Sequence, residues 1–264
     1  MVAVRDVDLA LTDVGAGPAF FWGHGFSSCR ADDDRNGMLR WSRLADHHRV
    51  VRWDARGHGD STGTTDAEDY RWDNLAADLL ALADALGVDR FVAGGVSMGA
   101  ATALHAAVRA PDRVDAVVLA LPPTAYETRA AQAAEYRAGA DTVERDGIDA
   151  YVAEVNARPV PAILNAFAST YRYEPRVAVD LLPAALRGAG LSDLPPADAI
   201  RSVESPALVL AWEGDPGHPS STAERLAELL PNAELHIARR LRDIAGWTEL
   251  GVELLDAVDR AAPD

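Results

Sequence analysis

Phe91-Val92-Ala93-Gly94-Gly95-Val96-Ser97-Met98-Gly99 is the stretch that decides the reading of this chain. An apolar run ends in Gly-x-Ser-x-Gly, and an alanine-rich stretch of helical pattern, Ala100–Arg109, follows at once. Strand before and helix after give the pentapeptide a mechanical meaning. The serine sits on a sharp strand-to-helix turn, with small residues either side allowing a close approach that a Cβ would obstruct. Its hydroxyl then stands above the carboxyl edge of a sheet, with the Met98 N–H below a developing oxyanion.

Working outward, short apolar runs punctuated by glycine read as strands at Val7–Leu11, Ala19–Trp22, Arg49–Trp53, Phe91–Gly94, Val114–Leu121, Ala207–Ala211 and Ala233–Ala238. Helical periodicity fills several gaps between them. Asn74–Leu86 carries Leu75, Leu79, Leu82 and Leu86 on one face and is followed by Gly87, a C-terminal cap signal. Ser221–Leu230 and Glu249–Ala261 read as the last two helices. Strand–helix alternation implies right-handed crossovers, and hence an α/β fold with a mostly parallel, doubly wound sheet. The alternation lapses from Pro122 to about Arg201, where Ala-, Arg- and Glu-rich segments are broken by Pro159, Pro161, Pro175 and Pro183. The expected organisation is a core of residues 1–121 and 202–264, with 122–201 as a helical cap insertion.

Composition narrows the chemistry. The 264 residues carry 25 basic and 41 acidic side chains, a net charge of −16, which leaves no basic surplus for a nucleic-acid backbone. Every basic residue is arginine, so a lysine nucleophile, Schiff base or phosphate-loop lysine is excluded. The single cysteine, Cys29, cannot form an internal disulfide. No apolar run approaches a membrane span, and Met1–Asp6 carries no basic-then-apolar leader pattern, so a soluble cytoplasmic protein is expected. No His/Cys/Asp cluster has metal-ligand spacing, and Asp32-Asp33-Asp34 reads as a solvated loop. Gly94-Gly95 lacks the spacing of a phosphate cradle, so no cofactor is expected.

Two further segments complete a site. His24-Gly25-Phe26 follows the strand Ala19–Trp22, and a loop there can supply a second oxyanion donor, the Phe26 N–H. Asp54-Ala55-Arg56-Gly57-His58-Gly59-Asp60-Ser61 forms a tight turn after the strand ending at Trp53. In this order and spacing, these segments and the serine turn resemble the α/β-hydrolase superfamily, in its cap-bearing esterase, lactonase and C–C hydrolase branch. The resemblance covers essentially Val7 to Val258 and is weakest across the insertion. It implies that Ser97 is a nucleophile and that Phe26 and Met98 hold the oxyanion, with Gly25 and His24 in the same loop. It also implies that Asp215, in Glu213-Gly214-Asp215-Pro216-Gly217-His218-Pro219, is the acid.

One departure stands out. The family places its catalytic histidine in a Gly-His step past the last strand. Here Ala233–Ala238 is followed by Arg239-Arg240-Leu241-Arg242-Asp243, and no histidine occurs after His236. An alcohol still needs a base. Of the seven histidines, His24 belongs to the oxyanion loop, His58 to a turn, and His47 and His48 to a helix end. His105 lies two turns down the helix after Ser97, and His236 lies within a strand. That leaves His218, at the carboxyl edge of the sheet, where functional groups gather in open α/β sheets. The plainer alternative is that His218 caps the next helix. Glu127 stands as a second candidate acid, and Asp215 could be a plain turn residue.

The expected function is a serine-dependent hydrolase of a small hydrophobic ester, lactone or activated carbonyl, working through an acyl-enzyme. Its partner is a small-molecule substrate. Tyr126, Tyr136, Tyr151, Phe167, Tyr171 and Tyr173 of the insertion, with Trp22 and Phe26 at the rim, could line an apolar pocket, or the insertion aromatics could form its own core. The alternative keeps the scaffold but binds a ligand, or catalyses isomerisation, cyclisation or elimination.

Overall fold

A computed structural model describes residues 1–167 and 172–261, with the side chain of Phe167 left aside. The chain opens with β1 (Val2–Val4) and β2 (Val7–Leu9), an antiparallel hairpin of their own. β3 (Leu11–Val14) then enters the main sheet. The single strand expected over Val7–Leu11 is therefore two. The break falls at Ala10, whose N–H bonds the Ser61 hydroxyl instead of a neighbouring strand.

Next come β4 (Ala19–Gly23), α1 (Arg30–Asn36), α2 (Trp41–Leu44), β5 (Arg49–Trp53), α3 (Trp72–Ala85), β6 (Phe91–Val96), α4 (Met98–Arg109) and β7 (Val114–Ala120). Asp32–Asp34 lie inside α1, and Asp33 is buried. The expected solvated loop is thus a helical turn, with Asp32 near its N-terminus, where a negative charge suits the helix dipole. After β7 run α5 (Arg129–Asp146), α6 (Ile148–Asn156), α7 (Ala162–Phe167), α8 (Leu182–Leu191) and α9 (Ala197–Arg201). The chain closes with β8 (Ala207–Trp212), α10 (Ser220–Leu229), β9 (Ala233–Ala238), α11 (Leu241–Ile244) and α12 (Trp247–Ala261).

Among the described residues, seven strands make one sheet in the order β3-β5-β4-β6-β7-β8-β9. Of these, β3 alone runs antiparallel to its neighbour. Strand residues face two helical layers in alternation. Phe21, Ala93 and Leu119 join α3 and α4 on one side, while Phe20, Trp22, Val92 and Val118 join Leu44, Trp247 and Val252 on the other. Burial on both faces is why these strands read as unbroken apolar runs. Trp22 is 1% exposed, so it belongs to this core and not to a pocket rim.

Leu194 and Ile200, near the end of the expected insertion, pack in the main core with β6 and α4. Earlier in that segment, Ala140, Val143, Tyr151, Leu182 and Leu186 form a separate small core with Tyr70. Among the described residues, no helix is long and apolar enough to cross a membrane.

Candidate active site

Ser97 stands between β6 and α4 with φ 54° and ψ −111°, a backbone conformation that is costly for any residue with a Cβ. Two close approaches enforce it. A Cβ on Gly99 would sit 2.0 Å from the Gly23 carbonyl oxygen, and one on Gly95 would sit 2.3 Å from the Gly99 backbone. The first turn of α4 is therefore pressed against the ends of β4 and β6, and the chain must turn sharply to reach it. Ser97 N–H donates to the Ala120 carbonyl at 3.0 Å, and its own carbonyl accepts from Ala101 N–H at 3.0 Å. The hydroxyl is left facing a pocket of about 260 Å³.

That hydroxyl lies 2.9 Å from His218 Nε2. His218 Nδ1 lies 2.8 Å from Asp215 Oδ2, which also accepts from the Trp212 indole at 2.9 Å. Asp215 Oδ1 accepts from Gly217 N–H at 2.9 Å. Burial works against the Asp215 charge, but the bond and charge of His218, with the Trp212 and Gly217 donors, outweigh it and hold the carboxyl at about 2. A carboxylate only accepts, so Nδ1 carries the imidazole proton and Nε2 presents its lone pair to Ser97. One loop after β8 thus supplies both groups. Trp212 is the member that sequence reasoning missed; its only signal was its place at the strand end, three residues before Asp215.

The loop after β4 lies alongside. A Cβ on Gly25 would make van der Waals contact at 3.6 Å with the Ser97 Cβ. None of the described residues accepts the Phe26 N–H. Met98 is the first residue of α4, where an N–H has no partner within the helix. His24 is fully buried. Its Nε2 accepts from Ala55 N–H at 2.9 Å and its Nδ1 meets the Gly25 carbonyl at 2.8 Å, so it ties this loop to the turn after β5. Burial pushes His24 down to about 4 and His58 to about 3, so both are neutral.

The remaining candidates lie elsewhere. His105 meets the Asp193 carbonyl, His48 meets Asp259, and His236 meets Glu234 on the last strand. The Asp243 carboxylate accepts from Arg239 and Arg240 N–H at 3.0 Å and so caps α11, where the resemblance would have a histidine. Glu127 is exposed and lines a different cavity with Tyr126 and Arg225. Of the aromatic candidates, Phe26, Tyr136, Tyr151 and Tyr173 line the pocket at Ser97. Tyr126 instead bonds the Pro195 carbonyl, and Tyr171 and the Phe167 side chain lie outside the described residues.

A sharp serine turn on a parallel sheet, with a histidine and an acid following in the chain, defines an α/β-hydrolase scaffold. Residues 24–241 match the family model described as alpha/beta hydrolase fold, and the chain belongs to that family. It is 30% identical over 241 residues to a 2-(acetamidomethylene)succinate hydrolase of Mesorhizobium japonicum, covering 88% of this chain and 83% of that one. It is 34% identical over 117 residues to an epoxide hydrolase of Caballeronia sordidicola, spanning only 34% of that relative's length. The enol-lactonase from Burkholderia xenovorans LB400 superposes with a TM-score of 0.79 over 96% of this chain and 98% of its own, at 21% identity, a likeness of fold.

Proposed function

We propose that the protein is a serine hydrolase of small, neutral, hydrophobic esters, lactones or similarly activated carbonyl compounds. The observation that carries the reading is the hydrogen-bonded line Asp215–His218–Ser97, with bonds of 2.8 and 2.9 Å. His218 Nε2 takes the proton as Ser97 Oγ attacks the carbonyl carbon. The Phe26 and Met98 N–H groups receive the oxyanion. The imidazolium, stabilised by Asp215, returns its proton to the leaving alkoxide, and the acyl-enzyme is then cleaved by a water that His218 deprotonates.

The pocket supports the substrate class. Phe26, Val96, Tyr136, Tyr151, Val155 and Tyr173 supply apolar surface, and the charged residues Glu135 and Arg158 face each other at 2.7 Å. Among the described residues that line the pocket, the paired Glu135 and Arg158 offer no net positive charge to an anionic acyl group, and the chain as a whole carries −16. In this reading the helices of 122–201 act as a cap over the serine, and the chain works in the cytoplasm. The test is release of p-nitrophenol from p-nitrophenyl butyrate and from the p-nitrophenyl monoester of succinate. The neutral ester is expected to turn over at least tenfold faster in kcat/KM, with no turnover of either by Ser97→Ala. Equal rates for wild type and Ser97→Ala would sink the serine mechanism, and a preference for the succinate ester would sink the substrate class.

A further inference from the structure

The loop that carries the Phe26 N–H is held from an unexpected side. Ser27, the next residue, has φ 60°, a left-handed backbone conformation that is strained for a residue with a Cβ. Ser27 is buried and is anchored twice. Its hydroxyl shares a 2.8 Å hydrogen bond with the Tyr173 hydroxyl, and its carbonyl accepts from Arg176 N–H at 2.9 Å. Tyr173 is itself clamped by Asn156 at the end of α6. The Asn156 side-chain amide donates to the Tyr173 carbonyl at 3.0 Å and accepts from the Tyr173 N–H at 2.8 Å. The Tyr151 hydroxyl, also from α6, lies 3.2 Å from that of Tyr173, and the two rings meet edge to face. An unbroken series of contacts thus runs from α6 through Tyr173 to Ser27, one peptide from the oxyanion donor.

We propose that Tyr173 is a positioning residue, whose hydroxyl, through Ser27, fixes the Phe26 N–H against the oxyanion formed at Ser97. The inference rests on the serine-hydrolase reading. A hydrogen bond to Ser27 Oγ fixes the side chain of a residue whose main chain already sits in a costly well. Without it, Ser27 can relax toward negative φ, which rotates the Phe26–Ser27 peptide and moves the neighbouring donor. Misplacement of a donor by a fraction of an ångström weakens catalysis but leaves ground-state binding largely intact.

The experiment compares wild type, Tyr173→Phe, Ser27→Ala and the double variant. It measures kcat and KM on p-nitrophenyl butyrate and the rate of inactivation by a fluorophosphonate, with thermal melting as a check on folding. Tyr173→Phe is expected to lower kcat and the inactivation rate by about tenfold, with KM within twofold. The double variant should be no slower than the slower single variant, since both changes remove one bond. Unchanged kcat with a lowered melting temperature would overturn the proposal in favour of a packing role. A raised KM at constant kcat would overturn it in favour of a substrate contact. Additive losses in the double variant would also overturn it. No fluorophosphonate adduct on the wild-type chain would instead remove the serine reading itself, and this inference with it.

Discussion

Asp215→Asn isolates the part of the site that sets the histidine's tautomer. Oδ2 of Asp215 faces two donors, His218 Nδ1 and the Trp212 indole N–H, and Oδ1 faces a third, Gly217 N–H. An asparagine has one acceptor and one NH₂ group, so no orientation satisfies all three. If the NH₂ takes the Oδ2 position, His218 must turn Nδ1 into an acceptor. Its proton then moves to Nε2, which points at Ser97 and can no longer act as a base. If the NH₂ takes the Oδ1 position, it opposes the Gly217 N–H. Tautomer reversal with intact geometry costs about 10⁴-fold in kcat in serine triads, or about 5.5 kcal/mol at the transition state.

The same substitution has a stability signature. The carboxyl sits at about 2 against an ordinary 3.8, a lowering worth about 2 kcal/mol. A carboxyl lowered by folding stabilises the folded state above its unfolded value, and that contribution is lost as pH falls from about 4 to about 2. Asp215→Asn is therefore expected to lower stability at pH 7 by about 2 kcal/mol and to narrow the gap to wild type at pH 2. The assay is kcat on p-nitrophenyl butyrate beside urea unfolding at both pH values. A folded Asp215→Asn variant within tenfold of wild-type kcat would refute the reasoning.

Three further outcomes are expected. Gly99→Ala drives a Cβ to 2.0 Å from a backbone oxygen that cannot swing away, so a loss of about 3 kcal/mol or more should appear in urea unfolding. A midpoint within error of wild type would contradict that. His24 and His58, lowered to about 4 and about 3, each favour the folded state at high pH and lose that contribution as pH falls below their ordinary 6.5. Burial raises Asp33 to about 7, so Asp33 has the opposite slope from about 7 down to about 4. Asp33→Asn should therefore steepen the loss of stability between pH 6.5 and 4 by about 1.4 kcal/mol per pH unit, and an unchanged slope would show that Asp33 is charged throughout. His218→Ala should lower kcat at least 10³-fold, whereas His236→Ala, altering a partly exposed residue paired with Glu234, should leave it within twofold; the reverse order would remove His218 from its role.

Most of the scaffold was legible because a sheet buried on both faces writes unbroken apolar runs between amphipathic helices. The serine turn was legible for a related reason, since Gly95 and Gly99 sit where a Cβ would collide with β4 and with each other. The histidine left no local pattern. Only its place at the carboxyl edge of the sheet singles out His218, which lies 2.9 Å from the Ser97 hydroxyl; its part as the base belongs to the proposed function. The surroundings of single residues are less legible. Trp22, expected at the rim, is turned by strand alternation into the layer of Leu44 and Trp247. Asp32–Asp34, read as a solvated loop, form the body of a short helix. Ser27 and Tyr173, 146 positions apart, share no sequence pattern, and only the return of the chain past α6 brings them together.

The most direct test of the central claim is the intact mass of the protein after incubation with a fluorophosphonate, followed by peptide mapping. The account predicts a single adduct on Ser97, absent from Ser97→Ala and formed at least 10³-fold more slowly by His218→Ala. No adduct on folded wild-type protein, or an adduct on another residue, would contradict it.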